Sequence, residues 1–154
     1  MSDRISEHVS FKEGIKSHTA TRLNIDNAPS DLDLVNMKII AEKVFEPLRE
    51  FVGGPIAINS FYRSPKLNSA IGGSTSSQHC SGRALDIDDK YGYKTNAEMF
   101  KYIQCNLDYD QMIWEFGDVN NPDWVHVSYV SEDVNRRRCL IAYKENGNTK
   151  YKII

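Results

Sequence analysis

Two short stretches of this chain carry residues able to hold a metal ion. The first is Ser77-Gln78-His79-Cys80-Ser81-Gly82-Arg83-Ala84-Leu85-Asp86; the second, about forty residues later, is Asp123-Trp124-Val125-His126. His79, Asp86 and His126 offer two imidazoles and one carboxylate. Such a donor set suits one Zn2+ per chain, and three protein ligands leave the fourth tetrahedral position open for water. Asp123, three residues before the last histidine, is a spare carboxylate and the general base that such a water needs. The chemistry expected of this set is zinc-dependent hydrolysis.

Each residue also has a plainer role to be weighed. A lone histidine is most often a surface or satisfied core residue, and His8 and His18 read that way. An aspartate within a strand is less ordinary, because Asp is disfavoured there and expensive to bury unpaired. Asp86 and Asp88, on one face of one strand, therefore ask for a cation. Cys80 adjoins a ligand, but consecutive residues rarely reach the same metal, so it reads as a bystander. Glu115, ending an apolar strand, is a partner of the ligands or an alternative base, ranked below Asp123. Tyr62, Trp114 and Trp124 suit sugar or peptide binding, with core packing as the default.

These side chains must be positioned by surrounding elements. Ser10-Phe11-Lys12-Glu13 predicts a capping box opening a short helix that ends near Ser17. A longer helix is predicted from Asp31 to Phe51, with Leu34, Met37, Ile40, Ala41, Val44 and Leu48 on one apolar face. Pro47 would kink or shorten it, and Gly53-Gly54-Pro55 would stop it. Ile56 to Tyr62 alternates as a strand, and Ser64-Pro65 starts a short helix ending at Gly72-Gly73. A polar loop, Ser74 to Ser81, carries His79 into a strand over Arg83 to Asp88 that carries Asp86. Thr95-Asn96-Ala97-Glu98 caps a helix reaching about Asn106. Strands follow at Gln111 to Phe116, Trp124 to Tyr129, Arg138 to Tyr143 and near Tyr151, with a turn at Asn146-Gly147-Asn148. With period two, Trp124, His126 and Ser128 share one face while Val125 and Val127 take the other. Helices first and strands later predict an α+β fold, an antiparallel sheet backed by helices.

The 154 residues suit one domain spanning 1–154. With 19 basic against 21 acidic residues and a net charge of −2, neither nucleic acid nor an anionic membrane is an expected partner. Arg136-Arg137-Arg138 is the only dense basic run and reads as a solvated turn. The acidic, weakly apolar start of the chain is not a secretory signal, so synthesis in the cytoplasm is expected. The three cysteines, Cys80, Cys105 and Cys139, form no CxxC pair and suggest neither a disulfide framework nor a thiolate cage. Oligomeric state is not encoded in any of these features.

Ser77-x-His79-x-x-Gly82-x-Ala84-x-Asp86 followed by Trp124-x-His126 resembles the zinc D-Ala-D-Ala carboxypeptidase family, which includes VanX-type dipeptidases and several bacteriophage peptidoglycan endopeptidases. Further pieces resemble the branch common in phage genomes, among them Ser60-Phe61-Tyr62-Arg63-Ser64, Ile71-Gly72-Gly73-Ser74 and Trp114-Glu115. The resemblance spans about residues 9 to 143. It implies a Hedgehog/D-Ala-D-Ala peptidase-like fold, with His79, Asp86 and His126 as zinc ligands and Asp123 as acid/base. The base is Glu in many relatives and Asp in some phage enzymes. It also implies that Arg63 holds a substrate carboxylate or polarises a carbonyl, and that Ser77 and Gln78 line the substrate cleft. The implied activity is cleavage of amide bonds in peptidoglycan stem peptides by a phage-type endolysin or virion-associated murein endopeptidase. Such an enzyme would reach the cell wall after lysis-type release or as part of a virion. D-alanyl-D-alanine carboxypeptidase activity is the alternative. A non-catalytic zinc-dependent binding module or a structural virion subunit are further alternatives, against which Asp123 and Arg63 both speak.

Overall fold

The computed structural model describes residues 4–154. A small hairpin, β1 (Arg4–Ser6) and β2 (Val9–Ser10), leads into α1 (Phe11–Ile15). The capping box of Ser10 and Glu13 opens α1 as expected. The chain then starts an unanticipated helix, α2 (His18–Leu23), whose Ser17 cap accepts a hydrogen bond from the Ala20 backbone. The predicted long helix is α3 (Asp31–Ile40), a wider π turn (Ala41–Phe45) and α4 (Glu46–Val52) in succession. Pro47 neither kinks the end nor shortens it, because it falls in the first turn after the π turn. There the loosened hydrogen-bond ladder tolerates a residue without an N–H. Gly53, with φ 77°, ends the helix. Met37, Ile40, Ala41, Val44 and Leu48 are all buried, as their spacing demands. Each large one contributes roughly 1.5–3 kcal/mol on burial.

The sheet contains β3 (Ala57–Ser60), β4 (Ala84–Asp88), β5 (Gln111–Glu115), β6 (Trp124–Ser128), β7 (Arg138–Glu145) and β8 (Asn148–Ile153). Their spatial order is β3-β4-β6-β5-β7-β8. Two further helices are α5 (Pro65–Ala70) and α6 (Asn96–Asn106). The fold is α+β, but the sheet is mixed, because β5 and β7 run parallel. β6 pairs with both β4 and β5, so the next strand must use the outer edge of β5. β6 ends beside the start of β5, and a chain entering β7 from there runs the same way as β5.

The two faces of the sheet differ. Leu85, Ile87, Met112, Val125 and Val127 pack into the main core with residues of α3, α4 and α6. The register places Asp86 beside His126, His126 beside Ile113, Ile113 beside Leu140, and Ala142 beside Tyr151. These residues form the opposite face, where Ile113, Leu140 and Ala142 make a small apolar cluster with Phe116. No helix among the described residues is long and apolar enough to cross a membrane.

Candidate metal centre

His79 sits in a single 3-10 turn, Gln78–Ser81, between α5 and β4. The Ser77 hydroxyl accepts a hydrogen bond from the His79 backbone at 3.3 Å and caps that turn. Ser77, expected only to line the cleft, thus also has a structural task. Gly82 closes the turn at φ 73°, where a Cβ would strike the Asp33 carbonyl oxygen of α3. The turn is thereby pressed against α3, and the chain enters β4 with Asp86 facing the ring of His79.

Ligand orientation follows from hydrogen bonds. His79 Nδ1 lies 2.7 Å from the Phe61 carbonyl oxygen, which can only accept. The ring proton therefore sits on Nδ1, and Nε2 presents a bare lone pair. That Nε2 is buried without a hydrogen-bond partner, 3.3 Å from Asp86 Oδ2. Two lone-pair donors this close repel unless a cation lies between them. Burial pushes the His79 imidazole below its ordinary value, overriding the pull of Asp86, so a second ring proton does not resolve the conflict. His126 Nδ1 lies 2.9 Å from Asp86 Oδ1. Burial alone would raise the Asp86 carboxyl, but the two imidazoles, His79 foremost, hold it well below the usual carboxylate range. Ligand atoms of His79, Asp86 and His126 all lie within 4.8 Å of one another. The donor set, its ionisation and the orphaned Nε2 all fit zinc.

Arg63 braces this arrangement. Its Nη2 reaches Asp86 Oδ2 at 3.4 Å, its Nε donates to Ser60 Oγ at 3.1 Å, and its Nη1 donates to Asn68 Oδ1 at 3.2 Å. Its backbone N–H also donates to the His79 carbonyl. Gln78 donates to Asp110 Oδ2 at 2.9 Å and lines the same cleft as the ligands.

The carboxylates are arranged differently from the sequence expectation. Asp123 is exposed and does not line the cleft. It lies just before β6, outside the strand that carries His126, and its backbone N–H donates to the Glu115 carbonyl. Glu115 lines the cleft instead. It pairs with Trp124 across β5–β6, two residues along from the Ile113–His126 pair, on the face of the ligands. Burial pushes its carboxyl up to about 7, with His126 and Arg63 opposing and Asp86 reinforcing that shift.

The other candidates fall out plainly. Asp88 accepts a hydrogen bond from Asn96 at 2.8 Å and is not in the donor group. Cys80 is also outside it. Tyr62 and Trp114 pack with the core, whereas Trp124 lines the cleft with its ring centroid 5.6 Å from that of Phe116 and the two rings tilted by 58°. Unanticipated cleft residues include Phe116, Arg136 and Tyr151. Their sequence neighbours carry no signal, because strand order alone brings them to the cleft. A second group, Glu7, His8 and Glu46, is mostly exposed, and Glu46 is already satisfied by Ser6 and His8.

Residues 7–128 match the family model described as Peptidase M15. No curated protein matches the chain.

Proposed function

The chain belongs to the peptidase M15 family of zinc peptidases, and on that premise we propose that it cleaves amide bonds in peptidoglycan stem peptides. His79, Asp86 and His126 would hold one zinc ion per chain. The observation that carries this is the buried, unprotonated His79 Nε2 facing an ionised Asp86 with no hydrogen between them. When bound, zinc would supply Lewis acidity toward a water and the scissile carbonyl.

The chain's own residues supply the rest. Glu115 takes a proton from the attacking water and returns it to the leaving nitrogen, a task suited to a carboxyl near neutrality. Its preference over Asp123 rests on its face of the sheet and its place in the cleft. Arg63 holds Asp86 in position with one of its five N–H donors and Ser60 and Asn68 with two more, and the remaining two face the developing oxyanion. Gln78 and Trp124 line the peptide's path.

Cleavage within the stem peptide, as by a phage-type endolysin or virion-associated enzyme, is the form we favour; D-alanyl-D-alanine carboxypeptidase action is the alternative. The substrate would be met after lysis-type release or from a virion. Mass spectrometry of purified peptidoglycan digested with the zinc-loaded protein, with and without a chelator, tests this. New peptide termini that vanish with the chelator are expected, and their identity names the bond. Undigested peptidoglycan from a protein containing stoichiometric zinc would leave only a binding module or a structural subunit.

A further inference from the structure

Arg136, in the run that reads as a solvated turn, lines the metal cleft. It also lies beyond the residues that the family model matches. Its guanidinium grips Asp110 with two bonds, Nε to Oδ1 at 3.0 Å and Nη2 to Oδ2 at 2.8 Å. Its backbone N–H adds a third bond to Oδ1 at 3.0 Å. The Asp110 side chain is nearly buried, whereas that of Arg136 is 50% exposed. Asp110 also accepts from Gln78, the residue before the ligand His79. Arg136, Asp110 and Gln78 thus form one braced unit anchored beside the metal ligands.

The two cleft arginines therefore differ. Arg63 bonds three separate partners, Ser60, Asn68 and Asp86, and its side chain is only 17% exposed, so it is turned toward the donor group rather than outward. Arg136 uses one edge of its fork on Asp110 and keeps Nη1 free of any protein hydrogen bond among the described residues. A half-exposed guanidinium whose rotamer is already fixed loses little entropy on taking an anion, and its planar donors match a carboxylate.

We infer that Arg136, held by Asp110, binds a free carboxylate of the peptide substrate and makes this cleft selective for anionic stem peptides. This rests on the peptidase assignment above and names the chemistry its substrate must present. Arg136 is a specificity residue here, and Asp110 a positioning residue.

The test uses the zinc-loaded chain and three versions of one synthetic stem peptide. One has all carboxylates free, one has its C-terminus amidated, and one has its internal carboxylate amidated. In the wild type, one of the two amidations should raise KM on the order of tenfold, as expected for a hydrogen bond to a charged group, with kcat little changed. In Arg136→Gln that penalty should shrink to about twofold or less, because the group that senses the charge is gone. Arg136→Lys keeps a charge opposite Asp110 but loses the fork, and should retain only part of the penalty. It carries the comparison if the glutamine variant folds poorly. Wild-type turnover that ignores both amidations overturns this inference alone, as does a full penalty persisting in the variants. A zinc-loaded wild type that cleaves none of the peptides overturns the peptidase assignment and this inference with it.

Discussion

The single proton of the His79 ring is spent on the Phe61 carbonyl, so the nitrogen aimed at Asp86 has only a lone pair to offer. That one assignment separates a metal ligand from a histidine that merely pairs with a carboxylate. Glu115 is the other decisive residue, because burial keeps its carboxyl near neutral pH on the same face as His126. Glu115→Gln should retain stoichiometric zinc yet lower kcat by roughly 10²–10⁴-fold, the range for loss of a general base. Asp123→Asn should stay close to wild type. The two variants, compared for zinc content and single-turnover rate, decide between the carboxylates. A dead Asp123→Asn beside an active Glu115→Gln would restore Asp123 as the base. The three donor residues that the fold brings within 4.8 Å of one another were legible as residue types and spacing. Which carboxylate lines the cleft was not, because the placement of Asp123 and Glu115 depends on strand register, which local sequence does not carry.

Among the elements, the turn from His79 to β4 carries the most consequence per residue. Gly82 adopts φ 73° and lies against the Asp33 carbonyl, so it needs both the left-handed conformation and the missing Cβ. Gly82→Ala should destabilise the protein by more than about 1 kcal/mol. It should also weaken zinc binding, since the displaced turn carries His79 while β4 carries Asp86. Thermal unfolding with and without zinc measures both effects, and a variant with unchanged melting and unchanged zinc affinity would show that the turn is not held against α3. Capping boxes at Ser10–Glu13 and Thr95–Glu98 were readable because their hydrogen bonds close within four residues. The parallel pairing of β5 and β7 was not, because it arises from which sheet edge remains free once β6 has paired on both sides. The same limit hid Arg136: charge runs are usually solvated, and only the Asp110 partner identifies one that is held in a cleft.

At the scale of the whole molecule, one face of the sheet is closed by helices and the other collects ionisable groups at the candidate metal site, so stability and protonation are coupled. In the metal-free protein two groups act in opposite directions. Glu115 has its carboxyl raised from 4.5 to about 7. The stability linked to its protonated form is complete below 4.5 and is lost as pH rises through about 7. His79 is lowered from 6.5, so the unfolded chain takes up a proton that the folded chain refuses, and stability falls as pH drops below 6.5. Asp86, held low, contributes stability that disappears only as pH falls beneath its ordinary 3.8, outside this window. The net profile of the wild type is therefore shallow, and a single curve would reveal little. Comparison with Glu115→Gln isolates one term, because His79 and Asp86 are common to both proteins. Urea unfolding of the metal-free pair at pH 5 and pH 8 should show the wild type losing about 2–3 kcal/mol relative to the variant at the higher pH. Parallel profiles for the two proteins would mean that the Glu115 carboxyl is not buried beside the ligands, and the assignment of the base would fall with it.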